Sequence, residues 1–157
     1  MAGAGKSSIG KKLADHLGFS FIDSDLLIEA EHQESLQRVL DEFGKENFLK
    51  IEEKALLSIE FNNTVLATGG SAIFSELAMD YLRSRSNIVL IMVPYGKIVE
   101  RVSNFSERGF LKTSDQTIQE AFVERQSLYK NFADYEVAND ASQEKCLKKI
   151  LDLIHQK

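Results

Sequence analysis

Apolar positions along this chain switch between a helical and an extended period, and the alternation predicts its architecture. Ile9, Leu13 and Leu17 share one face, which predicts a helix from Lys6 to about Leu17, closed by Gly18. The stretch FSFID follows as a short strand that delivers Asp23 and Asp25 at its end. Helical patterns then fill Leu26–Glu31, Ser35–Phe43 and Lys45–Ile59. TVLAT predicts a strand stopped by two glycines, and Glu76–Arg83 a helix. NIVLIMV is continuously apolar, the pattern of a strand with helices on both faces. Gly96–Val102 reads as helix, SNFSERGFLKTSD as a polar loop and Thr117–Tyr129 as helix. YEVA is a last short strand, and Glu144–His155 a closing amphipathic helix. Strands alternating with helices predict a parallel sheet between two helical layers, a three-layer α/β domain.

Bulk properties narrow the partners. The 157 residues suit one domain, 1–157, and no repeat, low-complexity tract or linker divides them. An apolar fraction of 43% is enough to bury a real core. A net charge of −5 argues against nucleic acid as the main partner, which usually needs a basic face. It leaves room for a nucleotide, because one loop can bind phosphate inside an acidic protein. The single Cys146 excludes an internal disulfide and a multi-cysteine metal site, and fits a reducing compartment. No apolar run approaches ~18 residues, so no membrane span is expected. No charged leader precedes an apolar stretch. A cytoplasmic location and a monomeric state are the expectations.

The chain opens on MAGAGKSS, the closing part of G-x-x-x-x-G-K-[ST]. A helix start preceded by small residues offers free backbone N–H groups and a positive dipole end, where phosphates sit. Gly3, Ala4, Gly5, Lys6, Ser7 and Ser8 are therefore candidate nucleotide-binding residues. Gly3 and Gly5 allow the turns, Lys6 can reach the terminal phosphates, and the Ser7 hydroxyl can ligate Mg²⁺. Asp23 and Asp25, at the end of the next strand, supply the hard oxygen ligands such a cation wants. The plainer alternatives are a small-residue helix start with a surface lysine, and aspartates that merely cap the following helix.

With these residues in hand, the chain resembles the shikimate kinase family, small phosphate-loop kinases of the nucleoside-monophosphate-kinase type. The resemblance runs from GAGKSSIGKKLADHLGFSFIDSD to ERQSLYKNFAD. It implies ATP and Mg²⁺, a mobile lid at about 104–116, and transfer of phosphate to shikimate in aromatic amino-acid biosynthesis. On the same basis Asp23 helps hold Mg²⁺, and Asp25 binds a substrate hydroxyl and is the base. Gly69, Gly70 and Ser71 line the acceptor site, and Arg125 grips the acceptor carboxylate. Arg108 is the lid arginine that reaches the phosphates, and Arg101 lies over the adenine ring. Lys6, Asp25 and Arg108 form the catalytic set. The physical logic agrees, because phosphoryl transfer asks the protein mainly for positioning and charge neutralisation.

The chain departs from the family pattern at three places. Leu49 in FLKIEE stands where a second carboxylate-binding arginine is usual, Ser71 replaces a third glycine, and Gly109 follows Arg108 in place of proline. These departures keep open a different small hydroxy-acid acceptor, such as gluconate or homoserine, or a nucleotide-binding protein without kinase activity. The strand that leads into the phosphate loop is central to the family's five-stranded sheet. It is expected ahead of Met1, so the quoted chain is read as lacking its natural start.

Overall fold

The computed structural model describes residues 1–102, 111, 112 and 115–155. In chain order these form α1 (Lys6–Leu17), β1 (Ser20–Asp23), α2 (Ser24–His32), α3 (Leu36–Leu57) and β2 (Thr64–Ala67). A single 3-10 turn at Ala72–Phe74 leads to α4 (Glu76–Arg83), β3 (Val89–Met92) and α5 (Tyr95–Arg101). Then come α6 (Ile118–Phe132), β4 (Tyr135–Ala138) and α7 (Gln143–His155).

Local chemistry sets the boundaries. Gly18 ends α1 in the left-handed region (φ 66°), and its N–H returns to the Ala14 carbonyl. Thr117 opens α6 with a reciprocal cap: its hydroxyl accepts from the Glu120 N–H, and Glu120 accepts from the Thr117 N–H at 2.7 Å. The two helices expected on either side of residue 44 run together as α3. Gly44, whose φ of 73° and ψ of 166° are not helical, kinks the chain between them, so both expected helices are present within the α3 span.

β1 pairs in parallel with β2, from Ser20 opposite Thr64 to Asp23 opposite Ala67. β3 pairs in parallel with β4, from Val89 opposite Tyr135 to Met92 opposite Ala138. Among the described residues no strand joins the two pairs, so the parallel sheet appears as two halves. An apolar cleft of about 590 Å³ runs between them, lined by Val65, Leu66, Val89 and Ile91, with Ile9, Leu13 and Ile150 from the helices.

The three expected layers are present. Val65 packs against the α1–α7 cluster of Ile9, Leu13, Cys146, Leu147 and Ile150. Leu66, the next residue, packs against the opposite cluster of Leu56, Ile59, Met79 and Leu82. Consecutive strand residues face opposite ways, so one strand serves both layers. The register also brings the ends of β1 and β2 out together. Asp23 and Asp25 therefore emerge beside the Gly69–Ser71 turn, in the crevice outside the carboxyl ends of the strands.

Candidate active site

The phosphate loop is built by backbone conformation. Gly3 (φ 75°) and Gly5 (φ 92°) both sit in the left-handed region that favours glycine. A Cβ on Gly3 would lie 2.6 Å from Val102 Cγ2, so the position also has no room for one. Gly5 is the N-cap of α1 and makes no side-chain cap, which leaves the first amides of the helix to a ligand. Ala4 is buried, and its carbonyl accepts from Asn139 Nδ2 at 2.9 Å. Ser7 and Ser8 are exposed at the mouth of the loop.

Lys6 is half-buried, and its ammonium donates to the Met1 carbonyl at 3.0 Å. Burial pulls its pKa down, while Asp25 and Asp23 oppose the shift. The Ser7 hydroxyl donates to Asp23 Oδ2 at 2.5 Å. The other Asp23 oxygen accepts from the Asp25 N–H at 3.0 Å, so Asp23 also caps α2. The two readings of Asp23, cap and ligand, are compatible because each uses a different oxygen. Asp25 is half-buried, and burial raises its carboxyl pKa against the pull of Lys6.

The acceptor side is equally close. Gly69 donates its N–H to Ser24 Oγ at 2.8 Å, and Ser24 is fully buried. A Cβ on Gly69 would lie 2.6 Å from Asp25 Oδ1 and would collide with Glu52 Oε1. The Gly70 carbonyl accepts from the Tyr129 hydroxyl at 2.7 Å, and a Cβ on Gly70 would lie 3.7 Å from Arg125 Nη1. Arg125, on α6, is only 3% exposed. Its guanidinium donates to the Leu111 carbonyl and lies 5.2 Å from the centre of the Phe74 ring. Burial pushes the Tyr129 hydroxyl up to about 12, so it stays a neutral donor.

Lys6, Asp23, Asp25, Gly69, Gly70, Ser71 and Arg125 thus come together from four separate stretches of chain. Arg101 lies across the loop from outside, exposed, with its guanidinium 3.4 Å from the carbonyls of Gly3 and Asn139. Arg108 and most of the expected lid lie outside the described residues. Leu49 is half-buried against an apolar cluster of Ile28, Val39, Phe48, Ala55 and Leu111.

Glu52 is the residue that sequence reasoning missed. It is 2% exposed, and burial raises its carboxyl to about 7, with Asp25 pushing the same way and Ser71 and Arg125 opposing. A signal existed, since Phe48, Glu52, Ala55 and Leu56 share the buried face of α3 and only one of them is charged. Asn139, fully buried beneath the loop, carried no comparable signal in NDAS.

The family model described as shikimate kinase matches residues 2–155. The shikimate kinase of Francisella tularensis subsp. novicida is 37% identical over 153 residues, covering 94% of this chain and 87% of that protein. The chain belongs to the shikimate kinase family. The Francisella philomiragia family member is 36% identical with the same coverage. The fold matches a shikimate kinase from Acinetobacter baumannii in complex with shikimate, with a TM-score of 0.87 and 29% identity over 98% of this chain and 88% of that one. It also matches the shikimate kinase of Aquifex aeolicus, with a TM-score of 0.86 and 29% identity over 99% and 92%. As a shikimate kinase family member the chain is an ATP-dependent small-molecule kinase, and its three-layer fold is the family's.

Proposed function

We propose that this chain transfers the terminal phosphoryl group of ATP to a hydroxyl of shikimate, giving shikimate 3-phosphate. One observation carries the reading. A carboxylate, Asp25, and a buried guanidinium, Arg125, both close on the Gly69–Ser71 turn, and Asp25 also feels the charge of the lysine that ends the phosphate loop. A small acid with a hydroxyl needs that combination.

Each residue then has a task. The uncapped amides after Gly5 and the Lys6 ammonium hold the phosphates and neutralise charge as it moves. Asp25 accepts the proton of the acceptor hydroxyl, and its burial makes it a stronger base than a solvated aspartate. Arg125 offers a planar fork to the acceptor carboxylate, a geometry a lysine cannot copy. Gly69 and Gly70 let the backbone approach the acceptor. Arg101 is assigned to the nucleotide base, and Arg108 to the lid contact with the phosphates.

The site also fits Mg²⁺. Among the described residues no three His, Cys, Asp or Glu side chains gather into a protein cage. The chain offers two oxygens, Ser7 and Asp23, already paired at 2.5 Å. A cation that keeps phosphate and water ligands asks for no more. When bound, Mg²⁺ would neutralise the phosphates, while Ser7 and Asp23 would hold it.

The test is ADP release with shikimate, gluconate and homoserine offered separately. Release that depends on shikimate alone is the expected result. Release with gluconate or homoserine and not shikimate would move the acceptor, and no acceptor-dependent release would leave a nucleotide-binding protein.

A further inference from the structure

One buried polar side chain beneath the phosphate loop has no task in the reading above. Asn139 follows β4 directly and is fully buried. Its N–H donates to the Met92 carbonyl at 2.8 Å, which extends the β3–β4 ladder by one bond. The sheet therefore fixes the backbone from which the side chain projects. Its Nδ2 donates to the Ala4 carbonyl at 2.9 Å. The next residue is just as close, since a Cβ on Gly5 would lie 3.0 Å from the same nitrogen. The other end of the amide, Oδ1, is buried and accepts no hydrogen bond from any described residue. A buried acceptor without a donor is destabilising, so packing alone gives little reason for an amide here. The fold uses its donor end.

A peptide unit is planar and trans, so its C=O and N–H point in opposite directions. Asn139 holds the Ala4 carbonyl, and the Gly5 N–H of the same unit is thereby turned away from Asn139. The preceding carbonyl belongs to the same frame. Arg101 Nη1 lies 3.4 Å from the Gly3 carbonyl, and its Nη2 lies 3.4 Å from the Asn139 carbonyl. We propose that Asn139 is a positioning residue for the phosphate loop, setting the Ala4–Gly5 peptide so that the Gly5 N–H faces the phosphates of the nucleotide. The proposal rests on the kinase reading above and adds to it a residue that touches no substrate. Without the Nδ2 donor that peptide can rotate, and the Gly5 amide loses its aim. Donors stabilise moving charge best when they are held in place beforehand. The effect falls on the nucleotide and spares the acceptor, because Arg125 and the Gly69–Ser71 turn hang on α6 and the end of β2.

The experiment measures ADP release from wild type, Asn139→Leu and Asn139→Ser, varying ATP and shikimate in turn, with a thermal melt of each protein. Leucine is close to asparagine in size, has no donor, and removes the orphaned acceptor as well. Asn139→Leu should lower kcat/KM for ATP about tenfold or more, leave the shikimate KM within about twofold and keep Tm within a few degrees. Asn139→Ser keeps a shorter donor and should recover part of the loss. A kcat/KM for ATP within about threefold of wild type in Asn139→Leu would overturn the proposal. Equal rises in the two KM values with a lowered Tm would also overturn it, by making Asn139 purely structural. Where Asn139→Leu fails to fold, Asn139→Ser decides: a loss confined to ATP supports the proposal, and no such loss overturns it. Wild type that releases no ADP with shikimate would instead overturn the reading beneath it.

Discussion

The Ser7 hydroxyl donates to Asp23 at 2.5 Å, tying the first turn of α1 to the end of β1. This contact joins the phosphate loop to the carboxylate pair. It predicts that Asp23→Asn, which keeps a capping oxygen for α2 but removes the charge, weakens the response to Mg²⁺. The Mg²⁺ concentration for half-maximal turnover should rise about tenfold or more, with little change in Tm. An unchanged Mg²⁺ requirement would return Asp23 to a purely structural cap.

Lys6→Ala should lower kcat by ~10²-fold or more, because its charge matters most as the phosphoryl group moves. Stability should hold or rise slightly, since burial disfavours this ammonium in the folded chain. Steady-state kinetics with a thermal melt separate the two effects. Turnover close to wild type would sink the phosphate-loop assignment.

Arg125→Lys should raise the acceptor KM far more than the ATP KM, because a point charge replaces a bidentate fork. Arg125 also holds the Leu111 carbonyl and faces Phe74, so a stability loss of ~1–3 kcal/mol should accompany it. Equal rises in both KM values would assign Arg125 to structure alone.

Glu52 predicts a pH effect whose sign is fixed by its environment. Its folded pKa, about 7, lies above the ordinary 4.5, so the folded state binds the proton more tightly than the unfolded one. The resulting stabilisation is full below about pH 4.5 and is lost as pH rises through about 7. Asp25 shifts in the same direction. Glu52→Gln should flatten the fall in Tm between pH 5 and 8 and stabilise the protein above pH 7, by a few kcal/mol at most. A variant that melts in parallel with wild type across this range would contradict the burial argument.

Much of this protein was legible in one dimension. Helical spacing marked α1, continuous apolar runs marked β3, and glycine with lysine and serine marked the loop, because each signal is set by neighbours a few residues apart. Even the break in α3 was readable from Gly44. The acidic FID end of β1 placed Asp23 and Asp25 together for the same reason.

Partnership across the chain was another matter. No spacing rule says that Glu52 meets Gly69, that Asn139 lies under Ala4, or that Tyr129 holds the Gly70 carbonyl. Those contacts depend on how α3, α6 and the β4 end pack around the strands, and so does the burial that sets the Glu52 and Asp25 pKa values. Chain neighbours settle backbone conformation and residue type, so the sequence by itself determined the elements and the chemistry available. Packing sets dielectric and distance, so only the tertiary structure decided which carboxylates are buried, and against what.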